Sequence, residues 1–474
     1  MQPEIPARIQ NANAGPLGTG QTQRLFSYLE SESRDPAVIL IRGGRVVDPS
    51  QRIDRQADVL ITGDRITAIG AGVRAPDGAL IIDARGLVVA PAFIDAHVHL
   101  RDPGFPEKET LESGAQAALR GGYASICCMP NTKPALDTAA RVADIVERAR
   151  ALPVRVFPVG AISVGRRGEA VADLEGMAAA GAVGFSDDGD STRSSRVMRD
   201  ALERAARLGR RVMVHCDEWT LAAGGVMNEG AVSHDLGLPG TPAAAEEIII
   251  ARDIELARLT GGRLHIQHVS TARGRALVHQ AKRDGLDVSA EVTPHHLLMT
   301  EEWVAGRRRF AGEREIVPGP CPDPNARVNP PLRTEQDAMA LLAGLVDGTF
   351  DIVATDHAPH AAGDKPGDLS QAAPGMIGLE LALPSMLRLV RSGRLSLPVL
   401  IEAMSTGAAR IFDLPGGTLR PGNPADVVVF DPDARWLVDG RTIVSRSKNT
   451  PLSGMTMTGA VMWTIVGGKV RYHA

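Results

Sequence analysis

Histidine and aspartate residues follow five apolar runs of the sequence, and their spacing predicts a metal site. The first run ends in His97 and His99, which lie two residues apart and would therefore face the same side of a β-strand. Two imidazoles on one side can bind one metal ion. The other runs end in further histidines or aspartates, within segments 185–189, 215–217, 265–268 and 355–360. Mixed histidine and carboxylate ligands suit Zn²⁺, with Mn²⁺, Co²⁺ or Fe²⁺ as alternatives.

Each of these segments follows a predicted strand of a larger α/β unit, which occupies about residues 91–413. Eight short apolar strands alternate there with helical patterns, at residues 92–97, 124–129, 155–159, 183–186, 211–215, 263–268, 287–292 and 351–355. Eight strand–helix units predict parallel strands that close into a (β/α)8 barrel of the TIM type. Such barrels bind ligands at the carboxyl ends of their strands, where the histidines and aspartates lie.

Two β-rich segments, residues 38–90 and 414–474, flank the predicted barrel. Short β-branched runs in both segments, among them 442–444, are separated by glycine-containing turns. We predict that the two chain ends together form one small β-sandwich-like domain. Residues 1–37 are polar and lack a basic segment followed by an apolar one, so they predict a mobile tail rather than a signal peptide.

The composition excludes several classes of protein. The formal net charge of −4 gives no basic surface for nucleic acid or acidic membranes. No apolar run approaches the ~20 residues that a membrane helix needs. Four cysteines among 474 residues cannot form a disulfide scaffold, so a reducing compartment and a cytoplasmic location are expected.

Several motifs resemble a known family. Residues 91–104, Pro-Ala-Phe-Ile-Asp-Ala-His-Val-His-Leu-Arg-Asp-Pro-Gly, resemble the first-strand signature of the amidohydrolase superfamily in its dihydroorotase form. Four further segments also resemble dihydroorotase patterns, namely 129–134, 328–333, 354–360 and 447–452. The last of them has the sequence Ser-Lys-Asn-Thr-Pro-Leu. The resemblance covers roughly residues 38–474, and the motifs are specific in combination. It implies the barrel fold with the flanking β domain.

The resemblance implies a set of six metal ligands, which are His97, His99, Asp188, His215, His268 and Asp356. Many relatives bridge two metal ions with a carboxylated lysine, but this chain has no lysine between Lys133 and Lys282. It instead resembles the class I bacterial dihydroorotases, which place an aspartate in a Phe-Ser/Thr-Asp-Asp-Gly motif. Asp187 stays an alternative to Asp188. Zn²⁺ is the expected metal, and a site for one ion or for two stays open.

The resemblance also implies residues that bind the substrate: His99, Arg101, Asn131, Asn329, His360, Pro374 and Gly375. The guanidinium of Arg101 would bind the substrate carboxylate with paired hydrogen bonds, and Asn131 and His360 would complete that site. Asn131 taken alone would be a turn residue. The chain departs from the family in two places. Residues 373–375 read Ala-Pro-Gly where Pro-Phe-Gly is common, and the segment 303–327 is longer than the usual link.

The implied reaction is the reversible interconversion of N-carbamoyl-L-aspartate and (S)-dihydroorotate in pyrimidine biosynthesis. In hydrolysis a metal-held hydroxide would attack the ring amide, with Asp356 as general acid and base.

Two other readings stay open. Another cyclic-amide hydrolase, such as a hydantoinase or allantoinase, would have no ring carboxylate for Arg101 and Asn131 to bind. A non-catalytic scaffold subunit for aspartate carbamoyltransferase would typically lose metal ligands, and this chain keeps all six. A homo-oligomer and a complex with that transferase are both compatible with the sequence.

Overall fold

The computed structural model describes residues 37–474, so all of the predicted tail except Ala37 lies outside it. The strands are β1 (Val38–Asp48), β2 (Ile53–Thr62), β3 (Arg65–Gly70), β4 (Leu80–Asp83), β5 (Val88–Pro91), β6 (Phe93–Val98), β7 (Tyr123–Cys128), β8 (Arg155–Pro158), β9 (Gly184–Ser186), β10 (Arg211–Val214), β11 (Met227–Asn228), β12 (Gly240–Thr241), β13 (Leu264–Ile266), β14 (Val288–Val292), β15 (Arg307–Arg308), β16 (Val317–Pro318), β17 (Ile352–Val353), β18 (Val427–Leu437), β19 (Thr456–Val466) and β20 (Lys469–His473).

The α-helices are α1 (Leu111–Gly121), α2 (Ala139–Ala149), α3 (Leu174–Ala179), α4 (Ser195–Arg207), α5 (Trp219–Ala222), α6 (Ala231–Leu236), α7 (Ala243–Thr260), α8 (Ala272–Arg283), α9 (Pro294–Leu298), α10 (Glu335–Val346), α11 (Ala382–Arg391), α12 (Leu397–Ile401) and α13 (Gly407–Phe412). A π-helical turn, Glu402–Thr406, joins the last two. Many of these helices begin after a threonine or serine whose hydroxyl accepts a backbone N–H of the first turn, as Thr110 does for α1 and Thr334 for α10. Within residues 37–474, no helix combines the length and the apolar character needed to cross a bilayer.

The eight strands predicted for the middle of the chain are all present, and they form two parallel arcs. One arc has the order β6-β7-β8, and the other has the order β17-β14-β13-β10-β9. Single parallel bridges join the arcs on both sides, from Gly160 to Phe185 and from Val98 to His357. Because neighbouring strands are parallel, their carboxyl ends meet at one edge, and this edge carries the predicted site.

The two chain ends share one eight-stranded sheet, in the order β20-β19-β18-β5-β1-β2-β3, with β4 pairing beside β1. The strands make one continuous sheet with an apolar cluster of its own, and the sandwich-like form stays a prediction. A bulge between Ile41 and Gly44 bends β1. The sheet curls until Ile66 N donates to Asn423 O, at 3.0 Å.

The segment 442–444, predicted as a strand, is not one. The backbone N–H groups of Val444 and Ser445 instead donate to the buried carboxylate of Glu380, at 2.9 Å each. A side-chain acceptor thus satisfies the donors that a sheet partner would have used. The strand β5 was not predicted separately, and it pairs with β18 so that Pro91 lies opposite Val427. The strand β6, the first of the parallel arcs, begins two residues after β5 ends in the small sheet.

Candidate metal centre and active site

All six predicted metal ligands lie at the carboxyl ends of parallel strands. They are His97 and His99 at the end of β6, Asp188 after β9, His215 after β10, His268 after β13 and Asp356 after β17. Each of them is at most 5% exposed. Five strands end close together in a buried space, so side chains that are far apart in sequence meet there.

The carboxylate of Asp188 occupies the centre of the cluster. Its Oδ1 lies 3.3 Å from His97 Nε2, 3.4 Å from His268 Nε2 and 3.6 Å from His215 Nδ1. Its Oδ2 lies 3.4 Å from His99 Nε2. One carboxylate therefore faces all four histidines.

Asp356 follows β17, and its carboxylate lies close to His97 and His99. Its Oδ1 lies 2.9 Å from His99 Nε2 and 3.6 Å from His97 Nε2. Burial alone raises the pKa of Asp356, but the hydrogen bond to His99 and the charge of His97 lower it below its ordinary value. Asp356 is therefore ionised and able to accept a proton.

Two side chains outside the six orient the first histidine pair. His97 Nδ1 donates to Glu291 Oε1 at 2.6 Å, and His99 Nδ1 donates to Asn131 Oδ1 at 2.8 Å. When the Nδ1 atom carries the proton, the lone pair lies on Nε2, which here faces the two aspartates. In a neutral imidazole held in this way, Nε2 is the atom left to bind a metal.

Glu291 was not identified from the sequence. It is fully buried within β14, and it also binds His265 Nε2 at 3.0 Å and the backbone N–H of His268 at 3.2 Å. Burial would raise its pKa, but His97 and His265 outweigh that effect and lower it to about 2. The one available signal was an acidic residue inside an otherwise apolar strand.

His265 and His268 lie three residues apart and would face opposite sides of a regular strand, yet both contact Glu291. The strand β13 ends at Ile266, and His268 has a φ of 30°. The alternation of side chains therefore stops before His268. Arg101 and Asp356 also have positive φ values, 59° and 47°. Backbone strain of this kind concentrates at functional sites.

The cluster fits a divalent metal ion. His97 Nε2 and Asp188 Oδ1 are buried and have no hydrogen-bond partner among the described residues. Leaving buried polar atoms unpaired is unfavourable, and a cation between them would satisfy both. Two groups of three ligand atoms lie within 4.8 Å of one another, namely His97, His99 and Asp356, and His97, Asp188 and His268.

The predicted substrate residues surround this cluster. Arg101 Nη2 lies 3.3 Å from His360 Nε2, and His360 Nε2 lies 2.9 Å from Pro374 O. On the other side, Asn329 Nδ2 lies 3.2 Å from His215 Nε2. Burial lowers the pKa of Arg101 to about 10, so it stays charged at neutral pH. Burial and the charge of Arg101 lower the pKa of His360 to about 3, so its imidazole is neutral.

The long segment 303–327 is tied to the substrate residues. Its hairpin of β15 and β16 is held by an ion pair from Arg308 to buried Asp323, at 2.8 Å. At its end, Arg327 O accepts the backbone N–H of Gly375 at 2.9 Å and Lys365 Nζ at 3.1 Å. The segment therefore joins the two loops that carry Asn329 and Gly375.

Asp187 and Asp188 differ in the groups that their carboxylates contact. Asp187 accepts the backbone N–H of Ser163 at 3.0 Å, its hydroxyl at 2.6 Å and the hydroxyl of Thr192 at 2.9 Å. Both oxygens of Asp187 are thus used to hold loops. Asp188 faces the histidines, which favours it as the ligand.

Replacing the two aspartates separately tests this choice. Asp188→Asn is expected to lower metal affinity by more than the ~10–100-fold that loss of an outer partner costs. Asp187→Asn, the matched control, is expected to keep near-stoichiometric metal because its carboxylate holds only Ser163 and Thr192. Elemental analysis after dialysis against a dilute chelator measures both. Metal loss in Asp187→Asn alone would assign the ligand to Asp187.

Comparison with known proteins gives consistent results. A family model described as dihydro-orotase-like matches residues 86–274. The chain is 45% identical to a dihydroorotase of Geobacter metallireducens, over 92% of this chain and 99% of that protein. It is also 45% identical to a dihydroorotase of Anaeromyxobacter dehalogenans, over 91% of this chain and 97% of that protein.

Solved structures of related enzymes have a similar fold. An L-hydantoinase (dihydropyrimidinase) from Arthrobacter aurescens superposes with a TM-score of 0.80, at 28% identity, over 92% of this chain and 96% of that one. A dihydropyrimidinase from Brevibacillus agri superposes with a TM-score of 0.78, at 25% identity, over 92% and 95% of the two chains.

Proposed function

The chain belongs to the dihydroorotase family, and on that premise we propose that its His–Asp cluster interconverts N-carbamoyl-L-aspartate and (S)-dihydroorotate. The enzyme is a dihydroorotase, a cyclic-amide hydrolase of pyrimidine biosynthesis. The observation that carries the assignment of the site is the position of Arg101. A half-buried guanidinium lies beside the His–Asp cluster and can bind a carboxylate at its edge.

The metal would be held by His97, His99, Asp188, His215, His268 and Asp356. We propose Zn²⁺, because imidazole and carboxylate together suit this ion. A bound divalent ion supplies a Lewis acid, which polarises the ring carbonyl and lowers the pKa of an attacking water. Glu291 and Asn131 would keep His97 and His99 in the tautomer that such an ion requires.

Asp356 would transfer the proton. In the hydrolytic direction its carboxylate takes a proton from water and gives it to the ring nitrogen when the carbon–nitrogen bond breaks. In the synthetic direction the same carboxylate takes the proton from the attacking nitrogen and gives it to the departing hydroxide, which leaves as water. Because the lowered pKa of Asp356 keeps it ionised, its carboxylate can act first as a base in hydrolysis.

The substrate carboxylate would be bound by Arg101, Asn131 and His360. Because His360 is neutral, it can donate one hydrogen bond without adding a second full charge beside Arg101. Asn329 would contact the ring. His99 would bind substrate together with the metal, and Pro374 and Gly375 would contribute backbone atoms.

The wider architecture follows from the same premise. We infer that the two arcs form a closed (β/α)8 barrel over residues 91–413, and that residues 38–90 and 414–474 form the small β domain. A homo-oligomer and a complex with aspartate carbamoyltransferase stay predictions from the sequence.

The rival reading is a hydantoinase, since solved hydantoinases share the fold. Its substrates lack the ring carboxylate, which would leave Arg101 unpaired in a buried site. We expect kcat/KM for dihydroorotate to exceed that for hydantoin or 5,6-dihydrouracil by about 10³-fold or more, because a site built around a polar group rejects analogues that lack it. Steady-state assays with the three rings on one metal-loaded preparation test this. Equal or greater turnover of hydantoin would support the rival reading.

A further inference from the structure

Asn449 contacts both stretches that form the proposed carboxylate site, the one that carries His360 and the one that carries Gly375. Asn449 Nδ2 donates to Ala358 O at 3.0 Å and to Gly375 O at 3.1 Å, and its Oδ1 accepts the backbone N–H of His360 at 3.0 Å. We infer that Asn449 is a positioning residue that sets the geometry of the carboxylate site, an inference that rests on the proposed function.

The two stretches that Asn449 joins are far apart in sequence. One follows β17 and contains His360, and the other contains Pro374 and Gly375. The backbone of Asn449 adds a further bond, because its carbonyl accepts the N–H of Ile377 at 3.0 Å. The residue is 6% exposed, so water does not compete for these bonds. Its carboxamide therefore fixes the separation between His360 and Gly375.

The chemistry of the three bonds requires a carboxamide. Two of the partners are carbonyl oxygens, which only accept, and the third is a backbone N–H, which only donates. Asparagine has two donor hydrogens and an acceptor oxygen on one short side chain. Aspartate has the same shape but would place a carboxylate oxygen against Ala358 O and Gly375 O.

The segment itself is held firmly from the other side. Ser445 N donates to Glu380 Oε1 at 2.9 Å, and Arg446 N donates to Glu109 Oε1 at 3.1 Å. Ser447 Oγ donates to Lys108 O at 2.6 Å. These bonds anchor the chain just before Asn449. Because the chain is anchored there, the hydrogen bonds of the carboxamide also fix the positions of His360 and Gly375.

Asn449 has no contact with the metal ligands in the bonds above, so its loss should weaken substrate binding rather than metal binding. The test compares Asn449→Asp and Asn449→Ala with wild type as full-length, zinc-loaded proteins. Asn423→Asp is the matched control, because Asn423 Nδ2 also donates to a carbonyl, that of Arg420 at 3.2 Å, but in the turn before β18. KM and kcat for dihydroorotate, zinc content and the unfolding temperature are measured for each protein.

We expect Asn449→Asp to raise KM by about tenfold or more, with kcat changed less than KM and zinc content unchanged. Asn449→Ala should raise KM by less, since it removes the bonds without adding repulsion, and Asn423→Asp should behave as wild type. Wild-type KM in Asn449→Asp, or loss of zinc and kcat in both Asn449 variants, would overturn the inference. An inactive zinc-loaded wild type would overturn the proposed function itself, and the inference with it.

Discussion

Asp356→Asn is expected to lower kcat by about 10³-fold in both directions of the reaction, because general acid–base catalysis contributes ~10²–10⁴-fold. Asparagine has nearly the same shape but cannot accept the proton. Asp356 Oδ1 lies 2.9 Å from His99 Nε2, so the substitution also weakens one proposed metal contact. The assay is therefore run at saturating zinc, with the bound metal measured in the same samples.

Asp433→Asn is a suitable control for this substitution, because Asp433 is exposed in the small sheet and far in sequence from the strand ends of the site. It should leave kcat and zinc content unchanged. A metal-loaded Asp356→Asn protein with kcat within about threefold of wild type would contradict the role of Asp356 in proton transfer. If zinc is lost but kcat per bound ion is unchanged, Asp356 acts only as a metal ligand and not in proton transfer.

Arg101→Met is expected to raise KM for dihydroorotate by about 100-fold, since removing one partner of a buried charge pair leaves the other unpaired. Arg101→Lys should raise KM less, because lysine keeps the charge but loses the planar pair of donors. Zinc content should not change in either variant. Arg101 Nε also donates to Pro359 O at 3.2 Å, so the unfolding temperature is measured to separate loop stability from binding.

Arg435→Met provides the same chemical change at an exposed position of the small sheet and should leave KM unchanged. If Arg101→Met keeps KM within twofold for both dihydroorotate and N-carbamoyl-L-aspartate, the carboxylate is bound elsewhere. A parallel fall of kcat and zinc content would instead show that Arg101 supports the metal cluster.

Much of the fold and of the site could be predicted from the sequence. The eight strands predicted for the middle of the chain are short apolar runs bounded by turns, and all eight are present in the structure. The family predicted from the motifs is confirmed by relatives at 45% identity. The six ligand positions were taken from those motifs, and the side chains do meet.

The remaining features depend on contacts between distant segments, which local patterns do not reveal. Glu291 acts on His97, which is 194 residues away, so an acidic residue in its strand does not by itself identify that partner. The segment 442–444 is β-branched, yet it donates to Glu380 instead of joining a sheet. The role inferred for Asn449 likewise depends on three backbone groups that only the folded chain brings together.

The most direct test of the account is the metal dependence of dihydroorotate hydrolysis. The absorbance of the ring is followed with purified protein, after removal of metal by a chelator and after return of Zn²⁺. We predict that activity is lost with the metal and recovered in proportion to the zinc bound, while Asp356→Ala stays inactive with zinc present. Undiminished hydrolysis in the metal-free protein, or none in the zinc-loaded protein, would contradict the assignment of the His–Asp cluster as a metal-dependent dihydroorotase site.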